Sequence, residues 1–196
     1  MLRPLILAAA VSLAAALAGC TPSAPGFHST DITGADYGKQ LALKDHTGKA
    51  RTLADFRGKA VTLFFGFTQC PDVCPTNLAT MAEVMRQLGP EADKVQVLFV
   101  TVDPERDTEE LLAQYVPAFD PRFVGLHGSL EETAAVARDF RVFYRKSGDT
   151  SGNHYTVDHS AGTYVFDPEG KLRLYVKHGE TAENIAADLK RLLAGR

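Results

Sequence analysis

Val61-Thr62-Leu63-Phe64-Phe65-Gly66-Phe67 is followed, after Thr68-Gln69, by Cys70-Pro71-Asp72-Val73-Cys74-Pro75 and then by an amphipathic stretch from Thr76 to Leu88. The first run is short, apolar and rich in aromatic and β-branched residues, which predicts a buried strand. The last stretch predicts a helix over about 75–88. Pro75 suits the first helical position, where its missing N–H costs nothing. Two thiols therefore sit at a strand-to-helix turn, with Cys70 in the loop and Cys74 at or near the N-cap. Their spacing is one residue longer than the Cys-x-x-Cys of disulfide oxidoreductases.

Outward from this turn the pattern repeats. Upstream, Gln40–Leu43 and Ala50–Leu53 flank Asp45-His46-Thr47-Gly48, a hairpin signal. Downstream, Val95–Val102 predicts a second apolar strand. Asp107, with Glu109 and Glu110 behind it, predicts a capped helix to about Val116. A short strand follows at Phe123–Leu126. Ser129 and Glu132 then form a capping box for a helix ending near Phe140. Gly162–Phe166, the turn Asp167-Pro168-Glu169-Gly170 and Lys171–Lys177 predict an antiparallel hairpin, and Thr181–Leu193 a closing helix. The order β-α-β-α-(β-α)-β-β-α is α/β with a mixed central sheet flanked by helices, as in thioredoxin-like folds.

The chain has 196 residues, 45% hydrophobic and 23% charged, with a net charge of −3. This is material for one domain with a sizeable core. The charge balance, with no run of Lys or Arg, argues against nucleic acid as a partner. At the N-terminus, Arg3 and the apolar run Leu5–Ala18 predict a signal peptide over residues 1–19. Leu17-Ala18-Gly19-Cys20 resembles a bacterial lipobox, so Cys20 is the expected lipidation site. Residues 20–36 then form the lipidated Cys20 and a flexible tether, and residues 37–196 the folded domain. The expected location is outside the cytoplasm, membrane-anchored by lipid and facing the periplasm or its equivalent.

Of three Cys residues, lipidation of Cys20 leaves the pair Cys70 and Cys74. In a compartment that permits disulfides, such a pair is kept reduced, metallated or cycled. Positive charge at the helix N-terminus is expected to lower a thiol pKa there. A helical turn puts the two Cα atoms roughly 6 Å apart, which is compatible with a disulfide or a shared metal. A third ligand is sought among six His residues. His28 falls in the tether, His46 in a hairpin turn, and His127 and His178 after strands, all better read as surface or packing residues. His159, in Val157-Asp158-His159-Ser160, precedes the strand that faces the cysteine turn in a thioredoxin-like sheet, so it points at the sulfurs. Asp158 is a candidate to orient it, and His154 an accessory candidate better read as a loop residue. Two thiolates and an imidazole suit copper, as Cu(I) or, with a further ligand, Cu(II). Met81 and Met85, at i and i+4, read as core. Asp103 and Asp107 read as shaping the nearby loop or capping its helix.

Gly66–Thr76 resembles the signature of the SCO/SenC family of copper chaperones. Val102-Asp103-Pro104-Glu105-Arg106-Asp107-Thr108 and Val157-Asp158-His159-Ser160 resemble that family's second and third blocks. The likeness covers about residues 38–193. It implies a thioredoxin-like fold, Cys70, Cys74 and His159 as copper ligands, and delivery of copper to the CuA centre of cytochrome c oxidase subunit II. It also implies possible dealings with other periplasmic copper chaperones or thiol-disulfide proteins. The alternative is a thiol-disulfide oxidoreductase in which Cys70 and Cys74 are catalytic and keep the CuA-site cysteines reduced. The longer spacing, and His159-Ser160-Ala161 where redox thioredoxins carry a Pro, point away from a general reductase.

Overall fold

A computed structural model describes residues 26–150, 152 and 154–196. The expected signal peptide and the expected lipidation site Cys20 lie outside the described residues. The central strand is β4 (Ala60–Gly66), buried at all seven positions. Its neighbour β5 (Val95–Thr101) is parallel to it, in register from Ala60↔Val95 to Gly66↔Thr101. A parallel pair needs a crossover, and α1 (Val73–Leu88) supplies it. On α1, Cys74, Leu78, Met81, Val84, Met85 and Leu88 are buried. This helical spacing gives one apolar face, and Met81 and Met85 are core, as their i, i+4 pattern predicts.

After β5 come α2 (Glu109–Tyr115), β6 (Val124–His127) and α3 (Leu130–Asp139). β7 (Tyr144–Ser147), β8 (Thr156–His159), β9 (Thr163–Phe166), β10 (Leu172–Val176) and α4 (Ala182–Leu193) complete the chain. β1 (Thr30–Asp31), β2 (Leu43–Asp45) and β3 (Ala50–Arg51) precede β4. The described strands form an eight-stranded mixed sheet ordered β1-β10-β9-β4-β5-β6-β2-β3, with β7 and β8 paired separately. β4 is thus flanked by parallel β5 and antiparallel β9. A central strand buried at every position, and apolar but for Thr62, needs cover on both faces. Phe65 meets Phe140 and Tyr164 at centroid distances of 5.3 and 6.2 Å. Phe64 instead meets Phe99 at 6.2 Å and the His159 ring at 5.9 Å. This is the expected α/β, thioredoxin-like architecture.

Four details differ from the sequence reading. The helix after the cysteine loop begins at Val73 with Asp72 as N-cap, so Cys74 lies inside the first turn. Asp107 does not cap α2. Thr108 does, its hydroxyl accepting from Leu111 N–H at 3.2 Å. Asp107 is instead fully buried under the cysteine loop. The folded region also begins before Tyr37. Thr30–Asp31 pairs with β10, and the His28 and Ser29 N–H groups donate to the buried Asp188 carboxylate at 2.9 and 2.8 Å. His28 is therefore docked rather than tethered. Finally, the β7–β8 ribbon was not expected. Ser129 and Glu132 form the predicted capping box.

Candidate metal centre

The cysteine loop is held from below. The Asp107 carboxylate accepts from the Thr68 N–H at 3.0 Å, the Thr68 hydroxyl at 2.6 Å and the Thr101 hydroxyl at 2.6 Å. Burial pushes its carboxyl pKa up, against the pull of these hydrogen bonds. The loop's entry is thereby tied to the end of β5, two residues before Cys70. At the helix end, the Cys74 N–H donates to the Cys70 sulfur at 3.4 Å. The positive end of α1 thus faces Cys70 rather than Cys74.

Cys74 is fully buried and Cys70 half-buried, and both are free thiols. Burial pushes the Cys74 thiol far above the ordinary cysteine range, opposite to the shift expected from a helix N-terminus. The sulfur owes its place to Gly66. A Cβ there would lie 2.8 Å from Cys74 Sγ, and equally close to the Phe64 and Phe99 rings.

His159 arrives from β8 and lies edge-on to the Phe64 and Phe67 rings, 5.9 and 5.8 Å between centroids. Its Nδ1 is 3.0 Å from the Ser160 carbonyl oxygen, which can only accept. Nδ1 therefore carries the proton, and the lone pair of Nε2 faces Cys74 Sγ at 3.5 Å. Burial lowers the imidazole pKa, which favours this neutral form. A ring N–H anchored on a carbonyl, with the other nitrogen turned to a metal position, is the usual arrangement of a ligating His. The ligand atoms of Cys70, Cys74 and His159 all lie within 4.8 Å of one another.

The other sequence candidates do not join this group. Asp158, expected to orient His159, alternates to the exposed face of β8 and lies 3.7 Å from Arg145. The Ser160 carbonyl does that work instead. His154 is exposed. His46 accepts the Gly125 N–H at 3.0 Å, so it packs between β2 and β6 rather than standing in solvent. Asp103 is buried and bonds Arg106 and the Tyr155 hydroxyl, so it shapes the loop as expected. Sequence reasoning missed Tyr115. Its hydroxyl is buried with no hydrogen-bond partner among the described residues. Burial, then the charges of Cys74, Cys70 and Asp107, push its phenol pKa up.

The sequence model of the SCO1/SenC family matches residues 29–194. The chain belongs to the SCO1/SenC family. The mitochondrial SCO2 homologue of Bos taurus is 45% identical over 156 residues, 79% of this chain and 59% of that protein. The chain thus spans less than two thirds of that relative's length. Among solved structures, copper-bound ScoI of Bradyrhizobium japonicum is 43% identical with a TM-score of 0.74, covering 80% of this chain and 99% of that one. A SCO1/SenC family lipoprotein of Bacillus anthracis is 26% identical with a TM-score of 0.70, covering 85% and 99%. The three stretches that carry the sequence resemblance converge on this site: Gly66 and the cysteine loop, the Asp103–Asp107 segment, and His159.

Proposed function

We propose that this SCO1/SenC chain binds copper through Cys70 Sγ, Cys74 Sγ and His159 Nε2 and passes it to the CuA site of cytochrome c oxidase subunit II. The observation that carries this reading is the convergence of two free thiols and a neutral imidazole within 4.8 Å. Two soft sulfurs and one nitrogen suit Cu(I) in a trigonal site. The copper-bound state of the Bradyrhizobium ScoI relative supports the same cargo. Release follows from the gradient of burial. Cys70 is half-buried, whereas Cys74 is fully buried, so Cys70 is the nearer of the two to an incoming thiolate. Stepwise exchange would therefore begin at Cys70 and end at Cys74.

The setting is part of the proposal. Residues 1–19 direct export, Cys20 takes the lipid, and the domain works at the outer face of that membrane. Among the described residues no helix is long and apolar enough to span a membrane. The Bacillus anthracis relative's designation as a lipoprotein supports the lipid anchor.

A second reading has an observation of its own. Cys70 is the less buried of the two, with a second thiol one helical turn away, which is the layout of a dithiol reductant for the acceptor's cysteines. His159→Ala separates the two. The copper-delivery reading predicts loss of oxidase maturation with thiol-disulfide exchange intact. Maturation unimpaired in that variant would overturn it and favour the reductant.

A further inference from the structure

His159 rides on β8, whose strand partner is β7, in register from Tyr144↔His159 to Ser147↔Thr156. This ribbon is not hydrogen-bonded into the eight-stranded sheet that fixes the cysteines. An isolated two-stranded hairpin has little stability of its own. His159 packs on the Phe64 and Phe67 rings and lies four residues before β9, so the approach of Nε2 to the sulfurs depends on these contacts together with the side chains that join the start of the ribbon to the neighbouring loops.

Those ties meet at Arg106. Its guanidinium is 5% exposed and pairs through Nε with Asp103, itself fully buried. Nη1 donates to the Tyr155 carbonyl at 2.8 Å and to the Gln69 side-chain oxygen at 3.2 Å. The guanidinium stacks on the Tyr155 ring, 3.6 Å from its centroid. The Tyr155 hydroxyl closes the loop by donating to Asp103 at 2.7 Å. Gln69 immediately precedes Cys70, and Tyr155 lies four residues before His159. One planar, five-donor group thus touches the start of the strand whose far end carries the imidazole, and the loop that carries the thiols. A second tie runs outside it. Lys146 of β7 pairs with Glu105, and its ammonium lies 4.5 Å from the Tyr155 centroid.

We propose that Arg106 is a positioning residue for the metal centre. With Asp103 and Tyr155 it latches the His159 ribbon to the cysteine loop, and so sets how well His159 serves as third ligand. This rests on the copper reading above.

The test is a double-mutant cycle on the full chain. Arg106→Lys keeps a positive charge beside Asp103, which avoids an uncompensated buried carboxylate, but loses the fork that spans Gln69 and Tyr155. Tyr155→Leu keeps the ion pair and removes the stacked ring, so either variant carries the test if the other fails to fold. Cu(I) affinity is measured by competition with a chromophoric chelator, and the Cu(II)–thiolate absorption is recorded alongside. Each variant is expected to lose roughly 10–100-fold in affinity and to shift the absorption, as outer-shell partners of metal ligands do. The same substitutions made in a His159→Ala background are expected to cost nothing further. Wild-type affinity in both variants, or an equal loss with and without His159, would overturn the latch. If His159→Ala itself binds copper as the wild type does, the ligand assignment fails and the latch falls with it. If His159→Ala weakens binding while both latch variants match wild type, the latch alone fails.

Discussion

Copper affinity should rise with pH at a rate that Cys74 dictates. Two effects compete at this sulfur. A helix N-terminus favours thiolate, while burial favours thiol. Burial wins, because Cys74 has no exposed surface, its own N–H points at Cys70, and the hydrogen bond from the Phe67 backbone does not offset the loss of solvent. Its thiol pKa is raised, so the metal-free protein holds this proton throughout the neutral and mildly alkaline range. Metal binding must displace it. The Cys74 proton alone makes the apparent affinity climb tenfold per pH unit, about 1.4 kcal/mol. Between about pH 7 and pH 9 that amounts to roughly 100-fold, or ~2.7 kcal/mol. The imidazole adds nothing in this window. Burial lowers its pKa, so Nε2 is already free of a proton and none competes with the metal. The assay is Cu(I) competition against a chelator of known proton dependence, under reductant and without oxygen. Proton release in weak buffer gives an independent count. The account requires a slope of at least one per pH unit across the whole window, and at least one proton per copper. A slope that flattens near neutral pH, or thiolate absorption from Cys74 appearing there, would show that the helix terminus has outweighed burial and would refute this reasoning.

Gly66→Ala would thrust a methyl to 2.8 Å from Cys74 Sγ and from the Phe64 and Phe99 rings. The expected cost is about 1–3 kcal/mol by urea unfolding, with weakened copper binding, and an unchanged midpoint would contradict the packing argument. Asp107→Asn turns an amide donor toward a site built for acceptance from Thr68 and Thr101. Stability should fall by about 1–3 kcal/mol, with increased amide exchange at Thr68–Cys70, and unaltered protection there would count against the loop's anchoring. Asp188→Ala strips the acceptor from the His28 and Ser29 N–H groups, so β1 should detach. Hydrogen exchange at residues 28–31 should quicken, and unchanged protection would show that pairing with β10 suffices without the carboxylate.

The sequence was most legible where local and tertiary demands agree. Ala60–Gly66, buried at all seven positions and apolar but for Thr62, reads as a strand covered on both faces, and the parallel pairing with Val95–Thr101 follows from the helix between them. Ser129 and Glu132 form a local reciprocal cap, so their motif survives folding intact. Asp107 was open between capping α2 and shaping the loop, because a capping residue and a buried loop anchor look alike in sequence. The choice was made by Thr68, 39 residues away, and by Thr108 taking the cap. The helix-terminus effect on Cys74 failed for a similar reason. Local position suggested a thiolate, but a buried sulfur against Gly66 is governed by desolvation. β1 and β7 are short, largely exposed strands without an alternating apolar pattern, β8 alternates over only four residues, and their pairing comes from partners elsewhere in the chain. His159 was found by its place before a facing strand, yet the group that orients it is a main-chain carbonyl, which carries no side-chain signal.

The central claim is that Cys70, Cys74 and His159 form one copper site. Metal analysis of the purified full chain, after copper is supplied under reducing conditions and the excess removed, tests it most directly. The account predicts close to one copper per chain, abolished by Cys70→Ser and markedly weakened by His159→Ala. Copper retained at the same stoichiometry and affinity in both variants would contradict it.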